Sequence, residues 1–325
     1  MAPTDDTSER GQILVIVGLL VAVMLVALAL VLNSAIFAEN LSTRETADSE
    51  EPSAYAVNAE STVADVYDRT NANDTRTAAD AESTFDDALR AWADQKSDTA
   101  AENGALFEAD WTTYVGWRLE QTENRSFTPA GDDSTADWTV ADGARNVSAF
   151  ELNVNRTKLY DGAGTGAFRL KISDGTTVWK LYVYQDSAND KVVVSQGDPG
   201  SSSQKCQKGT DRAVIDLRNE TLAGDDCSAL DFSSAVSGTL EIRYENVNVS
   251  GDEQVNGTYT LVVNGSAAVP KTGGEPTHFN RSGEASPTAT AVVYAVRYDT
   301  RYQRKEVVHD VEGWHSPREE TYQPS

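Results

Sequence analysis

The first part of the chain contains one long uninterrupted run of hydrophobic positions. Residues 13–32 are twenty consecutive residues without a charged or hydrogen-bonding side chain. A helix of this length spans about 30 Å, which is the hydrocarbon thickness of a bilayer. A secretory signal peptide has a shorter apolar region, of about 7–15 residues, and a more basic start. The run therefore predicts a membrane-spanning helix over residues 12–38, preceded by a short cytoplasmic leader at 1–11.

Between residues 39 and 122 the pattern changes to an acidic, alanine-rich background with apolar positions at helical spacing. Such a stripe is typical of a helix that buries one side. Its members are Val63, Val66, Thr70, Ala78, Ala81, Phe85, Leu89 and Trp92. A second segment repeats the spacing with Phe107, Trp111, Tyr114 and Val115. The pattern predicts a helical stalk or layer over 39–122.

After a linker-like stretch at 123–144, rich in Gly, Pro and Asp, the hydrophobic period becomes two. Alternating segments occur at 150–154, 168–172, 178–184, 191–195, 240–244, 258–263, 290–298 and 302–309. Asp174-Gly175 and two Asn-Gly pairs flanking 258–263 are turn signals between strands. We expect an antiparallel β-sandwich or barrel over 145–312, followed by a polar tail at 313–325. The predicted fold class is α+β, with an N-terminal transmembrane helix and a helical layer before the sandwich-like domain.

The charge balance is strongly acidic. The chain has 51 acidic and 27 basic residues, which give a net charge of −24. Nucleic-acid binding requires a basic surface, so this class of partner is excluded. The acid is spread along the chain, as in surfaces that stay soluble in concentrated salt, where screening removes self-repulsion. The alternative is an acidic protein without salt adaptation.

Cys206 and Cys227 are the two cysteines of the chain. Two thiols do not provide the four ligands of a structural zinc site. Outside the membrane they are expected to form a disulfide, and two free thiols are the alternative.

Asparagine is concentrated in glycosylation sequons. Ten of the 17 asparagines begin an Asn-X-Ser/Thr motif, against about three expected by chance from the serine and threonine content. The candidate sites are Asn40, Asn73, Asn124, Asn146, Asn155, Asn219, Asn248, Asn256, Asn264 and Asn280. The excess favours an N-glycosylated extracellular surface, although incidental sequons in a Ser/Thr-rich chain remain the alternative. All ten follow the hydrophobic run, so we expect the C-terminal side to face outward.

Little in the sequence indicates catalysis. His278, His309 and His315 do not have the spacing of a zinc motif, and no nucleophile elbow, Walker loop or His-Glu-X-X-His motif occurs. The Gly-rich run 161–166 has strand residues on both sides and lacks the lysine and following helix of a phosphate loop, so it predicts a flexible hairpin connection. The sequence therefore predicts a protein that is not an enzyme and has no cofactor or metal.

Two pairs of adjacent aspartates, at 132–133 and 225–226, have the oxygen ligands that Ca²⁺ prefers. They lack the Asp-X-Asp-X-Asp-Gly spacing of a calcium loop. Solvated acid is the preferred interpretation of both pairs, with a cation site assembled by folding as the alternative.

Immediately before the apolar run stand Glu9-Arg10-Gly11-Gln12. This motif resembles the class III signal peptide of archaeal pilins, in which a basic residue and Gly precede the cut and a hydrophobic helix follows. The resemblance implies cleavage between Gly11 and Gln12, with the helix kept on the mature protein. It covers about 30 residues, and it departs from many pilins at Ile16, where they have Glu. The alternative is an uncleaved signal anchor.

Together with the acidic, sequon-rich domain, the chain is similar to the pilin-like surface proteins of haloarchaea. The resemblance implies a single-pass cell-membrane protein with its N-terminus inside and its ectodomain outside. The expected function is structural or adhesive, with self-association or pilin-like partners packing through the N-terminal helix. The alternative is a tethered ectodomain that binds a ligand or senses a solute.

Overall fold

The computed structural model describes residues 55, 57–197, 204–248, 254–265, 268, 269, 271, 272, 275–305 and 307–316. The predicted span at 13–32, the Gly11–Gln12 processing site and Asn40 lie outside the described residues. Within the described ranges, none of the helices combines the length and the apolarity needed to cross a bilayer.

A helix hairpin precedes the strands. Helix α1 covers residues 57–72, and α2 covers Ala78–Glu102. The Thr77 side chain accepts a hydrogen bond from the Asp80 backbone N–H at 3.1 Å, and this N-cap explains where α2 begins. The predicted apolar stripe is buried at Val63, Thr70, Ala81, Phe85 and Leu89. The prediction of a helical layer is confirmed for these two helices.

The rest of the described chain is mainly strand. The strands are β1 Leu106–Ser126, β2 Trp138–Ala144, β3 Asn146–Asn155, β4 Phe168–Ser173, β5 Val178–Asp186, β6 Lys191–Gln196, β7 Lys205–Gly209, β8 Arg212–Asp216, β9 Thr221–Leu222, β10 Asp225–Asp226, β11 Leu240–Glu245, β12 Asn256–Asn264, β13 Lys271–Thr272, β14 Glu275–Pro276, β15 Asn280–Arg281, β16 Thr288–Arg304 and β17 Val307–His315. Short 3₁₀ turns lie at Arg156–Lys158 and Ser228–Leu230.

The strands form two main sheets that enclose one core. The nine-stranded sheet has the order β10-β9-β8-β3-β12-β1-β16-β15, with β17 also paired to β16. The six-stranded sheet has the order β2-β11-β4-β5-β6-β7. Alternate residues of both sheets, such as Leu152 on β3 and Leu170 on β4, are fully buried in one cluster. Burial of each such side chain contributes about 1.5–3 kcal/mol, so these alternating residues stabilise the face-to-face packing of the sheets.

Strand β1 is long enough to serve both layers. Successive odd-numbered residues of a strand point to one face. Trp117 and Leu119 on β1 pack in the inter-sheet core, whereas Trp111, further toward the start of the strand, packs with α1 and α2. The helix hairpin and the six-stranded sheet therefore lie on the same face of the nine-stranded sheet, at opposite ends of β1.

The predicted helix over the second apolar segment is wrong. Phe107, Trp111, Tyr114 and Val115 lie on β1, where Phe107 and Trp111 face the helices and Tyr114 lies on the other side. Aromatic residues four apart satisfy both periods, since every even spacing is also a strand spacing. The aromatic and β-branched residues of this segment favour a strand, and pairing with β16 over its length settles the choice.

The predicted linker and tail are also corrected. Residues 123–144 contain the end of β1 and all of β2, and β17 continues to His315 inside the predicted tail. The 302–309 segment is a hairpin between β16 and β17, with Lys305 at a φ of 53° in the turn. These elements pair with long-range partners, which local composition does not reveal.

One of the two predicted Asn-Gly turns is wrong. Asn256 and Gly257 lie inside β12, paired with Ser126 and Arg125 of β1. A Cβ on Gly257 would stand 1.9 Å from the carbonyl oxygen of Asn153 on the neighbouring strand. The glycine is therefore needed for close strand approach rather than for a turn. Asp174-Gly175 does turn the chain between β4 and β5, with Gly175 at a φ of 86°.

Candidate functional site

The two cysteines meet at one edge of the sandwich. The Cα atoms of Cys206 and Cys227 are 5.9 Å apart, and the two residues form a disulfide. Cys206 lies on β7, the last strand of the six-stranded sheet, and Cys227 follows β10, the last strand of the other sheet. The disulfide thus links the edges of the two sheets, where β7 and β10 each pair with a single neighbouring strand.

The structure separates the described sequons by exposure. Asn73, Asn124 and Asn219 are exposed, whereas Asn264 is only 7% exposed at the end of β12. The remaining five are partly exposed: Asn146, Asn155, Asn248, Asn256 and Asn280. The amide nitrogen must reach a transferase to be glycosylated, so the nine positions are not equivalent acceptors.

Several sequon amides are already held by the fold. The side-chain nitrogens of Asn248 and Asn280 donate to the carbonyls of Asp133 and Ala285 at 2.8 and 2.7 Å, and that of Asn219 donates to the Asp216 carboxylate. The Asn155 side-chain oxygen accepts from the backbone N–H and hydroxyl of Thr157, at 3.2 and 3.1 Å. These contacts involve the side-chain oxygen of Asn155 and not its nitrogen. The nitrogen, to which a sugar would be attached, is therefore not used by them.

The three histidines are in different contacts. The His278 ring lies 5.7 Å from that of Trp138, and the His315 ring lies 4.7 Å from that of Tyr67. His309 is on β17 opposite Tyr302. In the described ranges, no three His, Cys, Asp or Glu side chains are grouped closely enough to hold a metal ion.

The aspartate pairs are engaged in local hydrogen bonds. Asp132 accepts from the hydroxyls of Ser134 and Thr135 at 2.6 and 2.5 Å, which lowers the pKa of Asp132 to about 2. Asp133 pairs with Arg125. In the other pair, Asp225 bonds to Lys208. These contacts favour the interpretation of the pairs as ordinary surface carboxylates.

The Gly-rich run is built around one aromatic ring. Cβ atoms on Gly164 and Gly166 would lie 2.8 and 2.5 Å from ring carbons of Tyr160. Asp161 accepts hydrogen bonds from the Ser187 hydroxyl and backbone, which lower the pKa of Asp161. The run connects the 3₁₀ turn after β3 to β4, and these two strands belong to different sheets, so the predicted hairpin is wrong. Packing against the ring is the reason for the glycines.

An open groove of about 690 Å³ lies beside β2 and β11. It is lined by Pro129, Ala130, Asp132, Thr135, Asp137, Trp138, Thr139, Asp142, Arg243, Thr277 and His278. Asp137 accepts a hydrogen bond from the Asn246 backbone at 2.8 Å, and Trp138 is almost fully buried. The groove offers polar groups of both charges to a small molecule.

Arg156 is a structurally important residue that the sequence did not single out. Its guanidinium bonds to Asp190 of the six-stranded layer and Asp211 of the nine-stranded layer, both at 2.9 Å. The hydrogen bond with Asp211 is the main reason that the pKa of Arg156 is raised. The three residues are far apart in sequence, so no local motif indicates them.

No family model, curated protein or solved structure matches the chain.

Proposed function

We propose that the chain is a pilin-like, membrane-anchored cell-surface protein with a structural or adhesive role and a glycosylated acidic ectodomain. The observation that carries the proposal is the position of the first described residue, Tyr55, at one end of the domain. Tyr55 packs on Phe107 and Tyr302, with ring centroids 5.6 and 4.5 Å apart, where β1 begins. Tyr55 therefore lies at the end of β1 remote from the six-stranded sheet, which supports a connection to the predicted anchor at 13–32 from that end.

The sandwich end has the features of an outward-facing head. Two exposed sequons lie there, Asn124 near the end of β1 and Asn219 between β8 and β9. The Cys206–Cys227 pair lies at the edge of the same sandwich, and structural disulfides are typical of oxidising compartments. A helix in the membrane and a β head outside is the arrangement that a pilin-like function requires.

Processing of the N-terminus tests this proposal. Native mature protein is expected to begin at Gln12, and Gly11→Val should abolish the cut while membrane insertion continues. Gly18→Val, inside the apolar run, is the matched control and should be processed normally. N-terminal sequencing of membrane fractions gives the answer. A native start at Met1 or Ala2 would remove the pilin-like part of the proposal.

The groove beside β2 favours a second candidate, a tethered ligand-binding ectodomain. Small acids, amino acids and sugars would be screened for a rise in melting temperature, because a ligand that binds only the folded state stabilises it. A hit should be lost in Arg243→Ala, whose side chain lines the groove, and kept in Arg212→Ala on β8. A screen without hits would remove this candidate.

A further inference from the structure

The six-stranded sheet is cationic in an otherwise acidic molecule. Residues 168–209, which include β4 to β7, contain six basic and four acidic residues. Five of the nine lysines of the chain lie there. This segment therefore has a net charge of +2, while the whole chain has −24.

The strand register collects these charges on the outer face of the sheet. Arg243, Lys171 and Lys180 stand directly opposite one another across β11, β4 and β5. Their sequence neighbours Ile172 and Leu181 are buried in the core, so the basic side chains point away from it. Like charges in such cross-strand positions are unfavourable unless an anion compensates them.

The next row of the same face adds Arg169 on β4 and, two strands beyond Tyr182, Lys205 on β7. The carboxylate in this row is Glu245, which pairs with Arg169 and lies 4.0 Å from Lys171 and 3.8 Å from Arg243. Glu241, on the same face, lies 3.6 Å from Arg243, so two carboxylates are shared among three cations. The side chains of Lys171 and Arg243 are 31% and 34% exposed, enough to meet a partner.

The α2 helix has the complementary charge. It contains seven acidic and two basic residues, and Asp80, Asp87 and Asp94 are all exposed at intervals of seven residues. Seven residues of helix rise about 10.5 Å. The row from Arg243 to Lys180 covers two strand spacings, about 9.6 Å. One heptad of the acidic stripe therefore matches the length of the basic row.

We propose that the outer face of the six-stranded sheet, defined by Arg169, Lys171, Lys180, Lys205 and Arg243, docks onto the acidic side of α2 in a second copy of this chain. Both surfaces look away from the same face of the nine-stranded sheet, because α2 and the six-stranded sheet pack on that face. In the proposed dimer a two-fold axis lets each copy present its basic face to the other copy's α2, so the contact is reciprocal. It joins the heads and does not depend on the predicted anchor.

Charge exchange in the full-length protein tests the proposal. Carbodiimide crosslinking of detergent-solubilised protein, mixed from isotopically light and heavy batches, should yield intermolecular links from Lys171 or Lys180 to Asp87 or Asp94. Lys171→Glu/Lys180→Glu and Asp87→Lys/Asp94→Lys should each reduce dimer formation by about tenfold or more, because like charges then face each other. Mixing the two variants should restore the dimer.

Lys158→Glu is the control, since Lys158 is exposed on a 3₁₀ turn outside the basic face. It should dimerise like the parent. If the Lys171→Glu/Lys180→Glu variant does not fold, the Asp87→Lys/Asp94→Lys variant still tests the dimer, because both of its substitutions are at exposed positions of α2. Dimers that survive both reversals would overturn the proposal. So would a monomer whose basic face instead binds a sulfated polysaccharide, which would make that polymer the occupant.

Discussion

At the scale of single residues, the packing of the Tyr160 ring explains why glycine occupies positions 164 and 166 of the Gly-rich run. Tyr160 packs with a small outer cluster formed by Ala167, Tyr182, Tyr184 and Val193, so the ring has little freedom to move. The glycines that follow leave room for it. From sequence alone the run predicts only a flexible loop, because its glycines are required by packing against the Tyr160 ring, a contact that forms on folding.

Gly166→Ala is expected to lower the free energy of unfolding by about 1–3 kcal/mol, because its Cβ would lie 2.5 Å from the Tyr160 ring. Gly209→Ala is the control, since its Cβ would meet nothing nearer than 3.9 Å. Urea unfolding measures both. In the Tyr160→Ala background the Gly166→Ala penalty should disappear, and an unchanged penalty would contradict the packing explanation.

Asp132 should titrate near pH 2. Its pKa is lowered to about 2 chiefly by the hydrogen bond from the Ser134 hydroxyl, followed by that from Thr135. A lowered pKa means that the ionised carboxylate contributes stability above the unfolded value, near pH 4, and that this contribution is lost as the pH falls toward 2. NMR titration of the carboxyl carbon measures the pKa. Ser134→Ala should raise it, and no rise would show that another group controls it.

Sequon occupancy should follow exposure. In protein from its own host, the exposed Asn73 and Asn124 are expected to be modified, whereas Asn264, which is 7% exposed, stays bare. Intact glycopeptide mass spectrometry reads each site. Asn124→Gln should remove one glycan and leave the others. Glycan on Asn264 with bare exposed sites would show that modification precedes folding, and would refute this order.

At the scale of elements, the sequence predicted the strands that bury alternate residues. Segments such as 168–172 and 240–244 keep a strict period of two because one side faces the core. Strand β1 was missed because aromatics four residues apart also fit a helix. Strands β7, β9 and β10 were missed because they are short and polar, and β8 because its apolar alternation covers only five residues.

The Cys206–Cys227 bridge should stabilise these short edge strands. The closed loop has a sequence separation of 21, and such a loop is worth about 3 kcal/mol through restriction of the unfolded chain. Cys206→Ser/Cys227→Ser is expected to lose about this much in urea unfolding. Reduction of the parent protein should give the same loss, and the double variant should not respond to reductant. Equal stability in all forms would contradict the prediction.

At the scale of the whole molecule, the layout depends on contacts that the sequence does not display. Length and period indicated helices followed by a sandwich, and both are present. The helix hairpin lies beside the six-stranded sheet because both pack against the same face of β1, at its opposite ends. The cysteine pair was predictable from composition, whereas the burial of Asn264 and the Arg156 bridge required strand register.

The central claim is that a membrane anchor holds this domain outside the cell. The most direct test is labelling of intact host cells with a membrane-impermeant amine reagent, followed by alkaline washing of the membranes. Exposed Lys158 should be labelled before lysis, and the labelled protein should stay in the membrane pellet. Deletion of residues 13–32 should remove it from that pellet. Labelling of Lys158 only after lysis, or release of the intact chain by washing, would contradict the account.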